Sequence, residues 1–438
     1  MDMQTVPAIE DSTPGGEAAA TARAPWIRQA LDLRGKLALL ADAAKYDASC
    51  ASSGTTRRDS RSGGLGSAGG MGICHSYAPD GRCISLLKVL LTNYCEFDCR
   101  FCINRRSSDV PRARFTEREL VDLTLDFYRR NYIEGLFLSS GIVRSPDYTM
   151  ARMVGVVREL RTVHDFRGYI HLKTIPGADP ALVEEAGRHA DRLSINVELP
   201  EAESLARLAP EKDAAGIERA MAGIGTAIAE NRDSRARHRH APRFAPAGQS
   251  TQMIVGADAA TDATVLARSS TLYRSHALRR VYYSAYSPIP DPSDALPSRP
   301  APLVREHRLY QADWLLRFYG YSLPEVVDAT RDGMLDLRID PKLAWALRHP
   351  ERFPVDVNRA PRELLLRVPG LGVRGVERLL RMRRLQRVRL AHLATLGVSL
   401  AKIQPFVCAG DWQPRAQAAG LARRLAEADG TAQLPLAL

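Results

Sequence analysis

The chain has 438 residues, 45% of them hydrophobic, so it is long enough for two or three domains with a sizeable core. No apolar run approaches the ~18 residues of a membrane span, and residues 1–25 carry four acidic side chains where a signal peptide would be apolar. We therefore expect a cytoplasmic protein with no membrane association, whose seven cysteines are reduced.

The net charge of +11 is concentrated in one part of the chain. Residues 352–389 hold eleven arginines against three acidic side chains, so this segment alone carries a charge of +8. Such clustering favours a polyanion as the partner. The alternative is an ordinary solvated helix face, and charge by itself does not decide between the two.

The first part of the chain is expected to contribute little to a folded core. Residues 1–24 are small, polar and interrupted by Pro and Gly, which predicts a disordered tail. Residues 25–83 combine an N-terminal helix with a Ser/Gly/Arg-rich loop at 50–72. Cys74 and Cys83 close this region, and we expect structural or substrate-proximal roles for them.

Residues 84–300 contain six strand patterns that alternate with helical patterns. Such alternation favours a parallel sheet curled into a barrel, so the predicted fold class is α/β with a partial (β/α)6 TIM-like barrel. Chemistry in such barrels takes place at the carboxyl ends of the strands. The predicted strands are Ile84–Thr92, Ile133–Ser139, Tyr169–Thr174, Arg192–Glu198, Ser250–Val255 and Arg280–Tyr286, and the predicted helices include Glu117–Asn131, Asp147–Val163, Pro180–His189 and Ile217–Asn231.

A long basic connection precedes the fifth strand. Between Arg232 and Arg243 it holds five arginines and two histidines. We expect an exposed loop near the barrel mouth, which is either a contact for a nucleic-acid backbone or an ordinary insertion. After the barrel, we predict a helical bridge at 301–350, an all-α module at 351–410, and a C-terminal helix and tail at 411–438.

Three cysteines lie close together on the loop that follows the first predicted strand. Cys95, Cys99 and Cys102 have the spacing C-x3-C-x2-C. Iron–sulfur clusters normally take four Cys, so a compact set of three suggests a [4Fe–4S] cluster with one iron left open for chemistry. The alternatives are a zinc site or three unrelated buried cysteines. Structural zinc takes four ligands, and no fourth Cys or His follows in this loop.

With Phe101 directly before the third cysteine, this pattern resembles the signature of the radical S-adenosylmethionine (SAM) superfamily. The resemblance implies that SAM binds the open iron, and that one electron from the cluster cleaves SAM to methionine and a 5′-deoxyadenosyl radical, which abstracts a hydrogen from the substrate. It also implies a partial barrel, a flavodoxin- or ferredoxin-type electron donor, and Phe101 packed near the adenine.

The same resemblance points to the SAM pocket at the strand ends. Ser139, Ser140 and Gly141 stand where the superfamily often has Gly-Gly-Glu, so the glycine matches in part and the acidic residue is missing. The backbone of this segment remains able to contact SAM, because its carbonyl groups do not depend on side-chain identity. Gly256, after the fifth strand, resembles the position that packs against the adenine.

Polar residues alternate along the fourth predicted strand. Ser194, Asn196 and Glu198 share one face, and polar side chains inside a barrel are costly unless they bind something. In the superfamily this strand commonly contacts SAM; the alternative is a buried polar network without a ligand. Lys173 and Tyr286, at the ends of the third and sixth strands, are our candidate catalytic residues.

A second motif lies at residues 356–379. Val-Asn-x-Ala, a helix, Pro-Gly-Leu-Gly and a second helix resemble a helix-hairpin-helix. Gly370 and Gly372 allow a tight bend, and the N–H groups that begin the second helix then face a phosphate. Arg374 and Arg378 share a helix face and add phosphate contacts, which position a protein without reading sequence. The predicted nucleic-acid-binding residues are Pro369, Gly370, Gly372, Arg374, Arg378 and Arg381.

Residues 392–403 repeat the helix–Gly–helix rhythm without Pro-Gly-x-Gly, and we interpret them as a packing partner of the hairpin. A purely structural or protein-binding hairpin is the alternative. Over roughly residues 70–410 the two motifs together resemble radical SAM proteins with a C-terminal helix-hairpin-helix that are predicted to act in DNA modification or repair. We therefore expect an enzyme that docks on duplex DNA through phosphates. The rival hypotheses are radical modification of tRNA or rRNA, and a non-enzymatic DNA-binding iron–sulfur protein.

Overall fold

In the computed structural model, the predicted N-terminal helix is present as α1 (Leu33–Ala44), whose buried residues Leu37 and Leu40 pack against the sheet. The predicted disordered tail, the Ser/Gly/Arg-rich loop and most of the predicted C-terminal helix and tail lie outside the described part of the chain. The structure describes residues 31–44, 73–77, 83–290 and 292–414.

The described strands of the larger sheet follow one another in chain order, seven in all. The first runs antiparallel to the second, and the other six are parallel, which confirms the predicted partial barrel. The antiparallel strand was not predicted, because its five residues follow a Gly-rich segment and show no clear alternation. The strands are β1 (Ile73–Tyr77), β2 (Cys83–Leu90), β3 (Gly135–Ser139), β4 (Tyr169–Lys173), β5 (Arg192–Ser194), β6 (Gln249–Val255) and β7 (Arg280–Ala285).

The helices of the barrel begin at well-formed caps. Thr116 and Glu119 form a capping box, and the side chains of Ser145 and Thr261 also accept hydrogen bonds from the first turns that follow them. These caps explain why the helices start where the sequence predicts. The helices are α2 (Glu117–Arg129), α3 (Pro146–Thr162), α4 (Pro180–His189), α5 (Ala202–Leu208), α6 (Ala214–Arg237) and α7 (Asp262–His276).

The basic connection before β6 differs from its prediction. Its first arginines belong to α6, and α6 leads to the beginning of β6 and thus to the amino ends of the strands. Beyond the helix, the N–H of Ala245 donates to the carbonyl of Gly187 (2.8 Å) and that of Ala247 to the carbonyl of Asp191 (2.7 Å), just before β5. The predicted position near the barrel mouth is therefore wrong, because mouth and basic segment lie at opposite ends of the sheet.

The two faces of the sheet differ in chemistry. One face packs its aliphatic side chains, such as Leu87, Leu136 and Leu172, against the helices. The other face lines the barrel interior, where Leu86 and Phe137 form a small apolar cluster. Most other interior positions are buried but polar or charged. They include Lys88, His171, Arg192, Ser194, Asn196, Ser250 and Gln252.

The chain leaves the barrel through α8 (Leu303–Phe318), which runs antiparallel to β7. Near its beginning Glu306 Oε2 accepts the N–H of Ala285 (2.9 Å), and near its end Arg317 Nη2 donates to the carbonyl of Arg279 (2.6 Å). The end of α8 therefore lies beside the amino end of β7.

Short helices follow and share one core with the barrel. Met253, Leu315, Trp345, Leu365 and Leu379 belong to a single buried hydrophobic cluster. Among the described residues, no helix is long and apolar enough to cross a membrane. The remaining elements are α9 (Leu323–Asp328), α10 (Pro341–Arg348), α11 (Arg362–Leu365), α12 (Val373–Met382), α13 (Leu390–Ala394), α14 (Leu400–Ile403), and the parallel pair β8 (Val355–Asp356) and β9 (Val407–Cys408).

Candidate active site and basic hairpin

The three cysteines lie between β2 and α2 on residues 91–116, which we call the cysteine loop. Its two ends are joined, since the N–H of Phe115 donates to the carbonyl of Leu91 (2.9 Å). The side-chain oxygen of Asn93 accepts the N–H of Ala113 (2.8 Å). Because β2 is parallel to its successors, this closed loop emerges at the carboxyl end of the sheet, where the predicted chemistry would take place.

Arg112 holds the interior of the cysteine loop together. Its guanidinium donates to four backbone carbonyls, so it replaces the regular hydrogen bonds that an irregular loop lacks. An isolated arginine gives no sequence signal for such a role, and it was not predicted. The accepting carbonyls are those of Asn93 (2.5 Å), Asn104 (2.9 Å), Arg105 (2.6 Å) and Ser108 (2.8 Å).

The thiols of this loop are close and poorly solvated. Cys99 is buried, and the N–H of Cys102 donates to its carbonyl (2.9 Å). Cys95 Sγ accepts the N–H of Ile142 at 3.5 Å. Burial raises the pKa of Cys99 to about 12 and that of Cys102 to about 11, and the neighbouring thiols raise both further. The three sulfurs therefore lie within electrostatic reach of one another.

The segment before α6 packs directly on the cysteine loop. The N–H of Arg100 donates to the carbonyl of Leu208 (2.7 Å), and the N–H of Asp98 donates to Glu211 Oε1 (3.1 Å). These two bonds bring Lys212, the next residue, beside the cysteines. Lys212 has no sequence signal for this position, because the contact joins segments 113 residues apart.

Lys212 forms a buried ion pair with Glu198. Although burial lowers the pKa of Lys212, the charges of Glu198 and of the Cys99 and Cys102 thiolates raise it above its usual range. The backbone of Glu198 adopts φ +62°, in the left-handed region. Residues other than glycine adopt this backbone conformation at a cost on the order of 1–3 kcal/mol, and such strain concentrates at functional sites.

Gly141 is required by close packing. Its N–H donates to the carbonyl of Thr92 (2.8 Å), and a Cβ at this position would lie 2.2 Å from the carbonyl oxygen of Tyr94. The glycine thus lets the end of β3 press against the cysteine loop. Beside it, Ser140 Oγ donates to the carbonyl of Gly141 (2.6 Å), and Ser139 is buried.

The polar face predicted for the fourth strand, which is β5 in the structure, is present as a hydrogen-bonded network. Ser194 Oγ lies 2.9 Å from His171 Nε2. Asn196 Nδ2 lies 3.3 Å from both Glu198 Oε2 and Gln252 Oε1. Regular β5 structure ends at Ser194, four residues earlier than predicted, because the chain turns toward the left-handed Glu198. The candidate Lys173 is the register partner of Ser194 at the end of β4.

Phe101 and Tyr286 contact the same small apolar cluster, which also contains Leu199 and Leu208. Tyr286 is only 3% exposed, and its hydroxyl has no hydrogen-bond partner in the described part of the chain. Burial raises the pKa of this phenol, so it stays protonated at neutral pH. Gly256 has φ +82°, and a Cβ there would lie 2.7 Å from the side chain of Ala301.

The predicted hairpin consists of α11 and α12. Gly370 has φ +79° in the turn, and Gly372 is the N-cap of α12, which has no side-chain cap. Pro369 is buried, whereas the three predicted arginines of α12 are exposed: Arg374, Arg378 and Arg381.

A second helix pair, α13 and α14, has the same turn chemistry, with Gly397 at φ +74°. The two pairs pack together, because Val398 lies 3.7 Å from where a Cβ of Gly375 would be. Two helix pairs thus lie at the residues of the predicted hairpin and of its predicted packing partner, and their identity as a helix-hairpin-helix stays a prediction.

The turn before α12 lies far from the cysteine loop along the barrel axis. A Cβ at Gly372 would lie 3.6 Å from the hydroxyl of Tyr319, the residue that follows α8. α8 ends beside the amino end of β7 and, with 16 residues, is about 24 Å long, so this turn lies toward the amino end of the barrel.

Residues 89–233 match the family described as the Radical SAM superfamily. No curated protein sequence matches this chain. Three solved structures show a partial likeness: HydG, a maturase of the [FeFe]-hydrogenase (13% identity, 52% of this chain and 48% of that chain, TM-score 0.38); methylornithine synthase, PylB (14%, 50% and 59%, 0.38); and HydG from Carboxydothermus hydrogenoformans (15%, 52% and 50%, 0.39).

This chain thus spans about half the length of the first of these structures. Likenesses of this size carry no argument about substrate or partner. The family match, by contrast, starts in β2 and includes the cysteine loop, the end of β3 and the polar network. Residues 89–233 therefore carry the radical SAM superfamily domain, and members of that superfamily bind a [4Fe–4S] cluster and SAM.

Proposed function

We propose that this radical SAM enzyme modifies or repairs a nucleotide of DNA, with its cluster on Cys95, Cys99 and Cys102. The observation that supports the proposal is that the cysteine loop and the basic helix pair share one hydrophobic core. A loop of three cysteines, two of them with desolvated thiols, and a helix pair with exposed arginines contribute to the same hydrophobic cluster, which includes both Cys99 and Leu379.

The cysteine loop has the donor chemistry that a [4Fe–4S] cluster needs. In the described part of the chain, no three His, Cys, Asp or Glu side chains converge on a single metal ion. A cluster does not need such convergence, because each thiolate binds a different iron. Burial disfavours the free thiolates of Cys99 and Cys102, so iron would have to compensate for their lost solvation. The nearby ammonium of Lys212 favours the same negative charge.

The polar network would orient SAM beside this loop. When bound, SAM and the reduced cluster supply the 5′-deoxyadenosyl radical that abstracts a hydrogen from the substrate. Asn196 and Glu198 would offer hydrogen bonds at the carboxyl end of the barrel, while Phe101 and the hydroxyl of Tyr286 would contact the adenine. Ser194, whose hydroxyl lies 2.9 Å from His171 Nε2, would belong to the same network.

The hairpin would dock on phosphates. The uncapped first turn of α12 offers N–H groups with a favourable helix dipole, and α12 has ten residues, long enough for that dipole to develop. Arg374 and Arg378 lie on one exposed face of that helix. Contacts of this kind bind duplexes of any sequence and weaken with salt. We therefore propose a helix-hairpin-helix that positions DNA without selecting its sequence.

The turn before α12 and the carboxyl end of the barrel lie apart, and this limits which nucleotide of a docked duplex could react. The length of α8, about 24 Å, corresponds to roughly seven base pairs at 3.4 Å per step. A duplex anchored by the hairpin would therefore present a nucleotide several base pairs away from its anchored phosphates. Extruding that nucleotide costs a few kcal/mol, and less when it is damaged or unpaired.

The deciding experiment is anaerobic. The cluster is reconstituted and reduced, SAM is added, and 5′-deoxyadenosine is quantified with and without duplex DNA. We expect release that rises with DNA, and deuterium transfer from labelled DNA into 5′-deoxyadenosine would locate the reacting atom. Release that responds to tRNA and not to DNA would replace the substrate by RNA. A fully loaded cluster that releases nothing would favour the non-enzymatic hypothesis.

A further inference from the structure

Arg192 carries a buried positive charge without an acidic partner. It lies at the start of β5 on the interior face of the barrel and is 6% exposed. Its neighbour Asp191 is engaged elsewhere, by Arg161 Nη2 (2.7 Å) and by the N–H of Ile170 (2.8 Å). Within the described part of the chain Arg192 forms no ion pair. A buried guanidinium without a counter-ion is costly.

The hydrogen bonds of Arg192 are also incomplete. Its Nη1 lies 3.2 Å from the hydroxyl of Tyr282, a neutral group, and its buried Nε has no hydrogen-bond partner. A guanidinium has five N–H donors. Arg305, which is buried to a similar degree, is by contrast paired with Asp262 at 2.7 Å. Compared with Arg305, Arg192 retains donors for a further acceptor.

Neighbouring interior strands supply further unused donors. The hydroxyls of Tyr169 on β4 and Ser250 on β6 are buried without a hydrogen-bond partner. Arg192 is the register partner of His171, two residues after Tyr169, and Ser250 is the register partner of Ser194, two residues after Arg192. Tyr169 and Ser250 are thus each offset from Arg192 by two residues in register, in opposite directions, on the two strands that flank β5.

Two further cationic side chains lie on the described interior strands. Lys88 is buried on the interior face of β2, and the guanidinium of Arg280 lies 5.1 Å from the ring of Tyr282. The interior carboxylate of Glu198 is engaged by Lys212. Burial keeps the pKa of Tyr169 well above its usual range, so that hydroxyl is a neutral donor.

We propose that Arg192, with the hydroxyls of Tyr169, Tyr282 and Ser250, binds a phosphate group inside the barrel. A guanidinium with hydroxyl donors on neighbouring strands suits a phosphate oxyanion, and guanidinium groups bind phosphate through paired N–H bonds. This inference deepens the proposed function and rests on it. The ligand would be a terminal phosphomonoester of the nucleotide substrate, because an internal phosphate of a docked duplex stays outside the barrel.

The test measures ligand-dependent stability of the full-length, cluster-loaded protein. Thermal unfolding is followed against inorganic phosphate, a deoxynucleoside monophosphate and the matching deoxynucleoside, with chloride added to constant ionic strength. Because a ligand that binds only the folded state raises its stability, we expect stabilisation by the monophosphate and little by the deoxynucleoside. If phosphate alone acts equally well, the source is free phosphate and the nucleotide assignment is overturned.

Two variants give the decisive comparison. Arg192→Met should weaken monophosphate binding at least tenfold without loss of ligand-free stability, because it removes an unpaired buried charge. Arg305→Met is the control, which should destabilise the protein, since it strands Asp262, but keep monophosphate affinity. Should Arg192→Met fold poorly, Arg192→Lys serves instead, with weaker binding expected from the lost fork of donors.

Equal monophosphate affinity in wild type and Arg192 variants would overturn the phosphate site. That result would leave duplex affinity and DNA-dependent release of 5′-deoxyadenosine untouched. Loss of those two properties in wild type would instead overturn the proposed function, so the two failures are distinguishable.

Discussion

Lys212 and Glu198 form an ion pair at 2.5 Å whose side chains are only 11% and 8% exposed, directly beside the cysteine loop. Three features meet at this pair. Glu198 has a left-handed backbone, Lys212 follows the segment that is hydrogen-bonded to the loop, and both charges act on the thiols. A buried pair with a strained member is costly to keep for stability alone, so we regard it as part of the cluster site.

Removing either member of this ion pair should lower the free energy of unfolding, and the effects of the two substitutions should not be additive. Lys212→Met leaves a buried carboxylate alone, and we expect a loss of about 3–5 kcal/mol in the free energy of unfolding. In Lys212→Met with Glu198→Gln together, the loss should be smaller than the sum of the single losses by about 0.5–3 kcal/mol. Denaturant titrations of the four proteins measure this coupling, and additive losses would show that the two side chains do not interact.

Gly141 should tolerate no side chain. Gly141→Ala places a Cβ 2.2 Å from the carbonyl oxygen of Tyr94, so the cysteine loop must move. We expect a loss of about 1–3 kcal/mol and reduced iron loading. Gly223→Ala is the matched control, because nothing lies within 4 Å of its Cβ position in α6. It should stabilise the protein by about 0.5–1 kcal/mol. Equal behaviour of both variants would contradict the packing role.

The cysteines should differ in function according to position. Cys99→Ala removes a buried thiol of the cysteine loop, and we expect loss of cluster iron and of SAM cleavage. Cys83→Ala removes an exposed thiol at the beginning of β2 and should retain both. Iron content and 5′-deoxyadenosine release are measured on anaerobically reconstituted protein. Retained release in Cys99→Ala would remove the cluster assignment.

Much of the barrel was predictable, because its signals are local. Parallel strands that are buried on both faces appear as short apolar runs, and the six predicted strands are all present. The cysteine spacing likewise lies within eight consecutive residues, Cys95–Cys102. The network of Asn196 and Glu198 followed from alternation, although the strand itself ends earlier at Ser194.

The features that were missed depend on tertiary structure. Lys212 meets the cysteines only after the chain has formed three more strands, and Arg112 binds carbonyls that have no sequence pattern. The basic segment around Arg237 lies at the opposite end of the barrel from its predicted position, because the connection that follows α6 leads to the beginning of β6 and thus to the amino ends of the strands. A run of basic residues predicts that a segment is exposed, but it does not predict at which end of the barrel the segment lies.

The hairpin should bind duplexes through phosphates alone. Arg374→Ala with Arg378→Ala should weaken binding to all duplex sequences alike, because both side chains are exposed on one face of α12. Two lost phosphate contacts should reduce the slope of log affinity against log salt by about 1.8. Arg118→Ala with Arg129→Ala, on exposed positions of α2, is the control and should leave the slope unchanged. A loss confined to particular sequences would contradict phosphate docking.

The buried thiols predict a pH dependence that cluster binding should remove. In the metal-free fold the pKa of Cys99 is raised from 9.0 to about 12, so the folded state keeps a proton that the unfolded chain releases. The associated stability is complete below about pH 9 and is lost as pH rises toward about 12. Cys102, raised to about 11, acts in the same direction.

We therefore expect the metal-free protein to lose stability between about pH 8 and about pH 10, and Cys99→Ala to lose less. Once iron holds the thiolates they no longer titrate, so the loaded protein should lose less as well. Denaturant midpoints of the three samples at both pH values measure the effect. A loss that is identical in Cys99→Ala and wild type would show that other groups cause it, and that the cysteine loop does not hold its thiols in the protonated form.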